Sequence, residues 1–178
     1  MQKSKILSQK TVYNSKYFRV EKREEENDEK IVSKDYVVRD PIVMIIPLTT
    51  DNQIYLARQY RGALDKISTE LFAGHLDARE DPLDGAKREL KEESGLTAGT
   101  WKHLAQFHIS ANMEATVDIF VAEDLIEGAS EQEADEDIEM IKISFAEAIE
   151  KIENGEIDAA SHVAALLLLD KLRKEGKI

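Results

Sequence analysis

The sequence predicts an α/β fold: a mixed sheet flanked by helices, preceded by a small antiparallel β region. Three observations carry this. One continuous apolar run, Ile42-Val43-Met44-Ile45-Ile46, has the length and β-branched content of a central strand covered on both faces. One helix, residues 82–94, is marked at both ends. A last helix carries an apolar stripe near the C-terminus.

The elements follow in order. Residues 6–13, 18–24 and 31–39 mix β-branched and aromatic side chains with polar alternation and are separated by Asn14-Ser15 and Asn27-Asp28, so they read as short strands. The strand at 42–46 follows, then a turn at Asp51-Asn52 and a returning strand at 54–59. Asp81 is an N-cap, Pro82 suits the first helical position, and Gly95 stops the helix. Strands are expected at 101–108 and 116–122. The acidic stretch 131–137 reads as a mobile loop. Ser144-Phe145-Ala146-Glu147 is a capping box for a short helix ending at Gly155. Asp158 then caps the last helix, with Ala160, Val163, Ala164, Leu167 and Leu168 as its core-facing stripe. The organisation expected is residues 1–40 as the β-rich piece and 41–178 as the main domain.

Composition narrows the function. The chain has 178 residues, no cysteine and a formal net charge of −12. Disulfides, thiolate catalysis and zinc–thiolate sites are excluded, and a reducing compartment fits. The charge argues against a nucleic-acid partner, which needs a basic footprint. Residues 1–10 lack the apolar core of a signal peptide, and the longest apolar run, 163–169, is too short for a membrane helix. A cytoplasmic protein with no membrane partner is therefore expected.

The chemistry concentrates in residues 74–96, GHLDAREDPLDGAKRELKEESGL. On a helical wheel at about 100° per residue, Leu83, Ala86 and Leu90 form one stripe. Glu89, Glu92 and Glu93 group beside it, with Asp84, Lys87 and Lys91 opposite. Glu89 and Glu93 are a like-charge i,i+4 pair, unfavourable until a cation neutralises them. Clustered carboxylate oxygens suit a hard cation such as magnesium, although acid-rich solvated surfaces are also common.

The same segment resembles the Nudix box, Gx5Ex7REUxEExGU with U apolar. Gly74, Glu80, Arg88, Glu89, Leu90, Glu92, Glu93, Gly95 and Leu96 all fall in register. The resemblance implies a Nudix α/β/α sandwich and a pyrophosphohydrolase. It implies ligation of Mg2+, with Mn2+ as the alternative, by Glu89, Glu92, Glu93 and the carbonyl of Ala73. Glu80 and Arg88 look like the pair that orients the helix and its ligands. Catalysis would combine metal-assisted attack by water on the diphosphate with a carboxylate base. For the base, Glu133 and Glu136 are the candidates alongside the box residue Glu92, with Glu114 and Glu139 behind them.

Gln59-Tyr60-Arg61 and Glu70-Leu71-Phe72-Ala73-Gly74 resemble the ADP-ribose and nucleoside diphosphate sugar pyrophosphatase branch, which carries QYR and ELPAG there. That likeness implies a homodimer built through the N-terminal β region and binding of a small nucleoside diphosphate substrate by Arg61 and Arg58. For Arg61 the plainer alternative is a strand-end arginine paired with an acid. Tyr17 and Phe18 would either stack on a base or pack in a strand core. Phe72 replaces the proline of ELPAG, and Ile109-Ser110-Ala111-Asn112-Met113-Glu114 stands where a Ser-Pro-Gly segment is usual in ADP-ribose pyrophosphatases. The second departure favours a nucleotide sugar over ADP-ribose. A nucleoside triphosphate pyrophosphatase and a non-catalytic nucleotide sensor are the competing functions.

Overall fold

The computed structural model describes residues 4–28, 30–132 and 137–178. Eleven strands and three helices run in the order β1 (Lys5–Asn14), β2 (Arg19–Asn27), β3 (Lys30–Val38), β4 (Ile42–Pro47), β5 (Gln53–Arg61), β6 (Lys66–Glu70), β7 (Phe72–His75), α1 (Pro82–Ser94), β8 (Thr97–His108), β9 (Met113–Glu114), β10 (Thr116–Ile126), β11 (Glu139–Ser144), α2 (Phe145–Glu153) and α3 (Ala160–Lys174) among the described residues.

The expected α/β sandwich is present. Its central sheet is mixed, in the order β7-β4-β10-β8, with β10 parallel to β4 and antiparallel to β8. The run Ile42–Ile46 is apolar throughout because both faces of β4 are covered. Val43 and Ile45 face one cluster with Ala86 and Leu90 of α1, and Met44 and Ile46 face another with Ala148, Leu166 and Leu169 of α2 and α3. A second, antiparallel sheet, β11-β5-β6, stands beside it. The N-terminal sheet, β1-β2-β3-β9, takes its fourth strand from beyond residue 40.

Phe72 explains its departure from proline. Its side chain is fully buried in the α1-side cluster, and its backbone sits opposite Ile45 in the β4–β7 ladder. Proline would leave that volume unfilled and bring no N–H.

The caps of α1 are as expected. Asp81 accepts from the Leu83 N–H, and Gly95 adopts φ 74°, with its N–H bonded to the Lys91 carbonyl. A Cβ on Gly95 would lie 2.4 Å from the Gly128 carbonyl oxygen. Ser144 caps α2, accepting from the Glu147 N–H.

The last helix corrects two expectations. Asp158 does not cap it: the N-cap is Ala159, with no side-chain cap bond, and Asp158 pairs with Lys66 instead. The core stripe lies on the opposite side of the helix, at His162, Ala165, Leu166 and Leu169, while Ala160, Ala164 and Leu167 are exposed. In a run as uniformly apolar as Leu166-Leu167-Leu168-Leu169, periodicity does not fix which edge turns inward. A buried polar residue, His162, marks the inner face. The strand expected at 101–108 begins earlier, at Thr97.

Candidate active site

The site forms where β6 hands over to β7 and β7 leads into α1. The chain runs along β5 up to Glu70, leaves that sheet at Leu71, and joins β4 from Phe72 onward. Helix α1 then crosses above β7 and presents its acids to it. Glu89 and Glu93 are buried, and Glu92 is partly exposed.

Gly74 is required by this approach. A Cβ there would fall 2.0 Å from Cδ of Glu89, so any side chain would expel the carboxylate. One residue earlier, the Ala73 N–H donates to Oε2 of Glu93 at 3.1 Å. The two buried acids of α1 are thereby set against consecutive residues of β7.

Arg88 connects the acids. Its Nε and Nη2 bind the two oxygens of Glu80, both at 2.9 Å. Its Nη1 reaches Oε1 of Glu89 at 2.7 Å and Oε2 of Glu92 at 3.0 Å, and Nη2 also donates to the His75 carbonyl at 2.9 Å. The bond to Arg88 holds the Glu80 carboxyl below its usual range, against partial desolvation, and Glu80 in turn lifts the already high pKa of Arg88. Glu80 also accepts from the Asp77 N–H at 2.9 Å, tying the loop to the helix.

Glu92 extends the cluster toward the acidic loop. The Glu131 N–H donates to the Glu92 carbonyl, and the Gln132 amide donates to the carbonyls of Glu93 and Ile138. Glu133 and Glu136 lie outside the described residues. Of the other base candidates, Glu114 pairs with Arg23 at 2.6 Å and Glu139 with Arg58 at 3.0 Å.

The two candidate substrate arginines separate. Arg61 forms a two-pronged pair with Glu70, which is buried, with Nε to Oε1 at 3.0 Å. Burial raises the Glu70 pKa and Arg61 lowers it, and the arginine prevails. Arg58 points to β11 and its partner Glu139. Of the two side chains, that of Arg61 is paired with β6, the strand that leads toward the box, and that of Arg58 with β11.

His162 on α3, without ligand spacing in the sequence, has a structural partner: its Nδ1 accepts the Leu71 N–H at 2.9 Å. His75 likewise contacts Arg39, and its pKa is lowered by burial and then by that arginine, with Asp40 opposing. Among the described residues Nε of Arg39 is buried without a hydrogen-bond partner. No local spacing advertises either contact.

Among the described residues no ready-made ligand set of three His, Asp or Glu side chains converges. The donor chemistry nevertheless fits a hard divalent cation. Three carboxylates and a strand backbone share one patch, and Arg88 spans two of the acids where a cation would share them.

The NUDIX domain family matches residues 38–166. The chain belongs to the Nudix family. It is 27% identical to an ADP-ribose pyrophosphatase of Bacillus subtilis (strain 168) over 169 residues, covering 93% of this chain and 91% of that one. It is 33% identical to a methanol dehydrogenase activator of Bacillus methanolicus over 141 residues, covering 77% and 76%. A solved structure described as an ADP compounds hydrolase superimposes with a TM-score of 0.85 at 28% identity, covering 100% of this chain and 98% of that one. This Nudix chain therefore shares the fold of that hydrolase along its whole length, including the N-terminal sheet, most of which lies before the matched domain.

Burial lowers the pKa of His162 to about 4, with Glu70 opposing and Arg61 reinforcing the shift. An unfolded histidine titrates near 6.5, so below that pH the unfolded chain binds a proton that the folded chain refuses. Stability is therefore lost as pH falls from about 6.5 toward 4, by about 3 kcal/mol. Urea unfolding of the wild type and His162→Asn at pH 7 and pH 4.5 checks this. The wild type should lose about 2 to 3 kcal/mol more between the two, and equal losses would assign the acid sensitivity elsewhere.

Proposed function

We propose that this Nudix hydrolase cleaves the diphosphate bridge of ADP-ribose or a nucleoside diphosphate sugar, giving a nucleoside monophosphate and a sugar phosphate. One observation carries the reading: Ala73, whose N–H meets Glu93, follows by only three residues Glu70, which holds Arg61. A carboxylate cluster fit for divalent cations is thus tied by a few residues of backbone to a guanidinium fit for phosphate. The likeness to an ADP-ribose pyrophosphatase along more than nine-tenths of both chains supports it.

In this reading Glu89, Glu92, Glu93 and the carbonyl of Ala73 hold Mg2+, or Mn2+ in its place. A divalent cation bound there would neutralise diphosphate oxygens and acidify a water nucleophile. Arg88 and Glu80 keep the three carboxylates on one face. Arg61 takes substrate oxygens while Glu70 holds its other edge. Glu133, Glu136 or Glu92 accepts the proton of the attacking water. The absence of cysteine suits a reducing compartment, the cytoplasm.

The N-terminal sheet, residues 1–40 in the main, is assigned to homodimerisation. All of β1 is exposed, and Ile6, Val12, Tyr13, Tyr17 and Ile31 are each at least half exposed. Phe18, whose ring lies 5.5 Å from that of Tyr13, is exposed as well rather than packed in a core. A monomer rarely leaves so much apolar surface in one place. Light scattering of the eluted protein should give twice the mass of one chain, and a monomer at micromolar concentration would refute the assignment.

The function is tested by incubating the protein with ADP-ribose, ADP-glucose, GDP-mannose, UDP-glucose and nucleoside triphosphates, with magnesium and with chelator. Magnesium-dependent release of a nucleoside monophosphate from a sugar-bearing diphosphate is expected. Activity confined to triphosphates would replace this reading with a triphosphate pyrophosphatase, and silence throughout would replace it with a nucleotide sensor. On the active substrate, Glu93→Gln should lower kcat at least about 100-fold with the fold intact. Arg61→Ala should chiefly raise KM; an unchanged KM would remove Arg61 from the site.

A further inference from the structure

The C-terminal helix makes a polar contact with the backbone between β6 and β7. Leu71 sits alone between β6 and β7, belonging to neither ladder, at the point where the chain changes sheets. A backbone N–H at such a break needs an acceptor from outside the sheets. His162 of α3, only 7% exposed, supplies it through Nδ1 at 2.9 Å. Immediately before Leu71 is Glu70, which holds Arg61; two residues after it is Ala73, whose N–H holds Glu93. The contact therefore lies at the midpoint of the backbone that sets the distance between guanidinium and carboxylates.

The remainder of α3's inner face is aliphatic, with Ala165, Leu166 and Leu169 in the core. Such packing resists compression but permits sliding, because dispersion contacts have little direction. A hydrogen bond to a fixed ring nitrogen restricts both distance and angle. The histidine ring is itself held by burial, so it transfers the position of α3 to Leu71.

We propose that His162 is a positioning residue for hydrolysis: its Nδ1 fixes the strand crossover at Leu71 and thereby the separation of Arg61 from the Ala73–Glu93 contact. The proposal rests on the functional reading above. Among the described residues the hydrogen bond of His162 goes to the Leu71 backbone. It acts through the backbone of residues 70–73.

Two substitutions of similar polarity separate this role from general support of the core. In His162→Asn the side-chain oxygen takes the place of Nδ1, so the acceptor for Leu71 is kept. In His162→Gln the acceptor moves outward to the place of Nε2, and the Leu71 N–H loses it. Hydrogen exchange read by mass spectrometry over peptides spanning residues 66–75, and steady-state kinetics on the substrate found above, are measured for both. His162→Gln should lose protection in that segment while α3 stays protected, and should lower kcat/KM by about tenfold or more, in line with the cost of ångström-scale misplacement. His162→Asn should recover most of both.

Equal behaviour of the two variants, or His162→Gln within about twofold of wild type in kcat/KM, would overturn the proposal. Should the wild type hydrolyse nothing in the substrate panel, the functional reading fails. The exchange comparison still decides whether His162 fixes the crossover, and unaltered protection in His162→Gln would reject it. If His162→Gln does not fold, as judged by circular dichroism, the same measurements on His162→Ser decide. A hydroxyl too short to reach Leu71 should reproduce the loss, and wild-type exchange and kcat/KM in that variant would overturn the proposal.

Discussion

The guanidinium of Arg88 is the interaction on which the candidate site depends. Glu89, Glu92 and Glu93 share one helix face, two of them buried, and Glu80 lies against the same turn. Bringing these carboxylates together costs free energy, because each is partly desolvated beside others of the same charge. One planar group with donors to three acids and to the His75 carbonyl offsets much of that cost. A lysine, with a compact charge and no fork, would not reach these partners at once. The rest follows from that arrangement: α1 must lie close enough for Glu89 to need a glycine opposite, and β7 must offer its backbone to Glu93.

Much of this was legible in the sequence because it is local. Asp81, Pro82 and Gly95 set the limits of α1 through backbone rules that act within one turn, and the wheel separates Glu89, Glu92 and Glu93 from Lys87 and Lys91 without tertiary information. The Glu80–Arg88 pair is eight residues apart, within reach of a loop folding onto the first turns of a helix. The box spacing then supplied the family and its sandwich.

What was not legible is long-range. Asp158 has the residue type of a cap and stands in the right place, but Lys66, on a strand 92 residues away, takes it. The phase of α3 fails for a related reason, since an aliphatic run satisfies several orientations and the surrounding sheets choose among them. The division of the strands into two sheets plus an N-terminal sheet depends on the single-residue break at Leu71, which no turn signal marks. Arg61 was ambiguous between substrate and surface acid. Its partner is an acid, but a buried one on the strand that leads into the box.

The bond between His162 and Leu71 spans 91 residues, and this has a consequence for how the protein is made. Domains begin folding while the chain is still being synthesised, amino end first. By the time the carboxylate-bearing helix has emerged, Leu71 still lacks the residue that will take its N–H. The crossover gains that hydrogen bond only when the closing helix leaves the ribosome. A nascent chain thus carries every acid of the cluster before it carries the histidine that takes the Leu71 N–H.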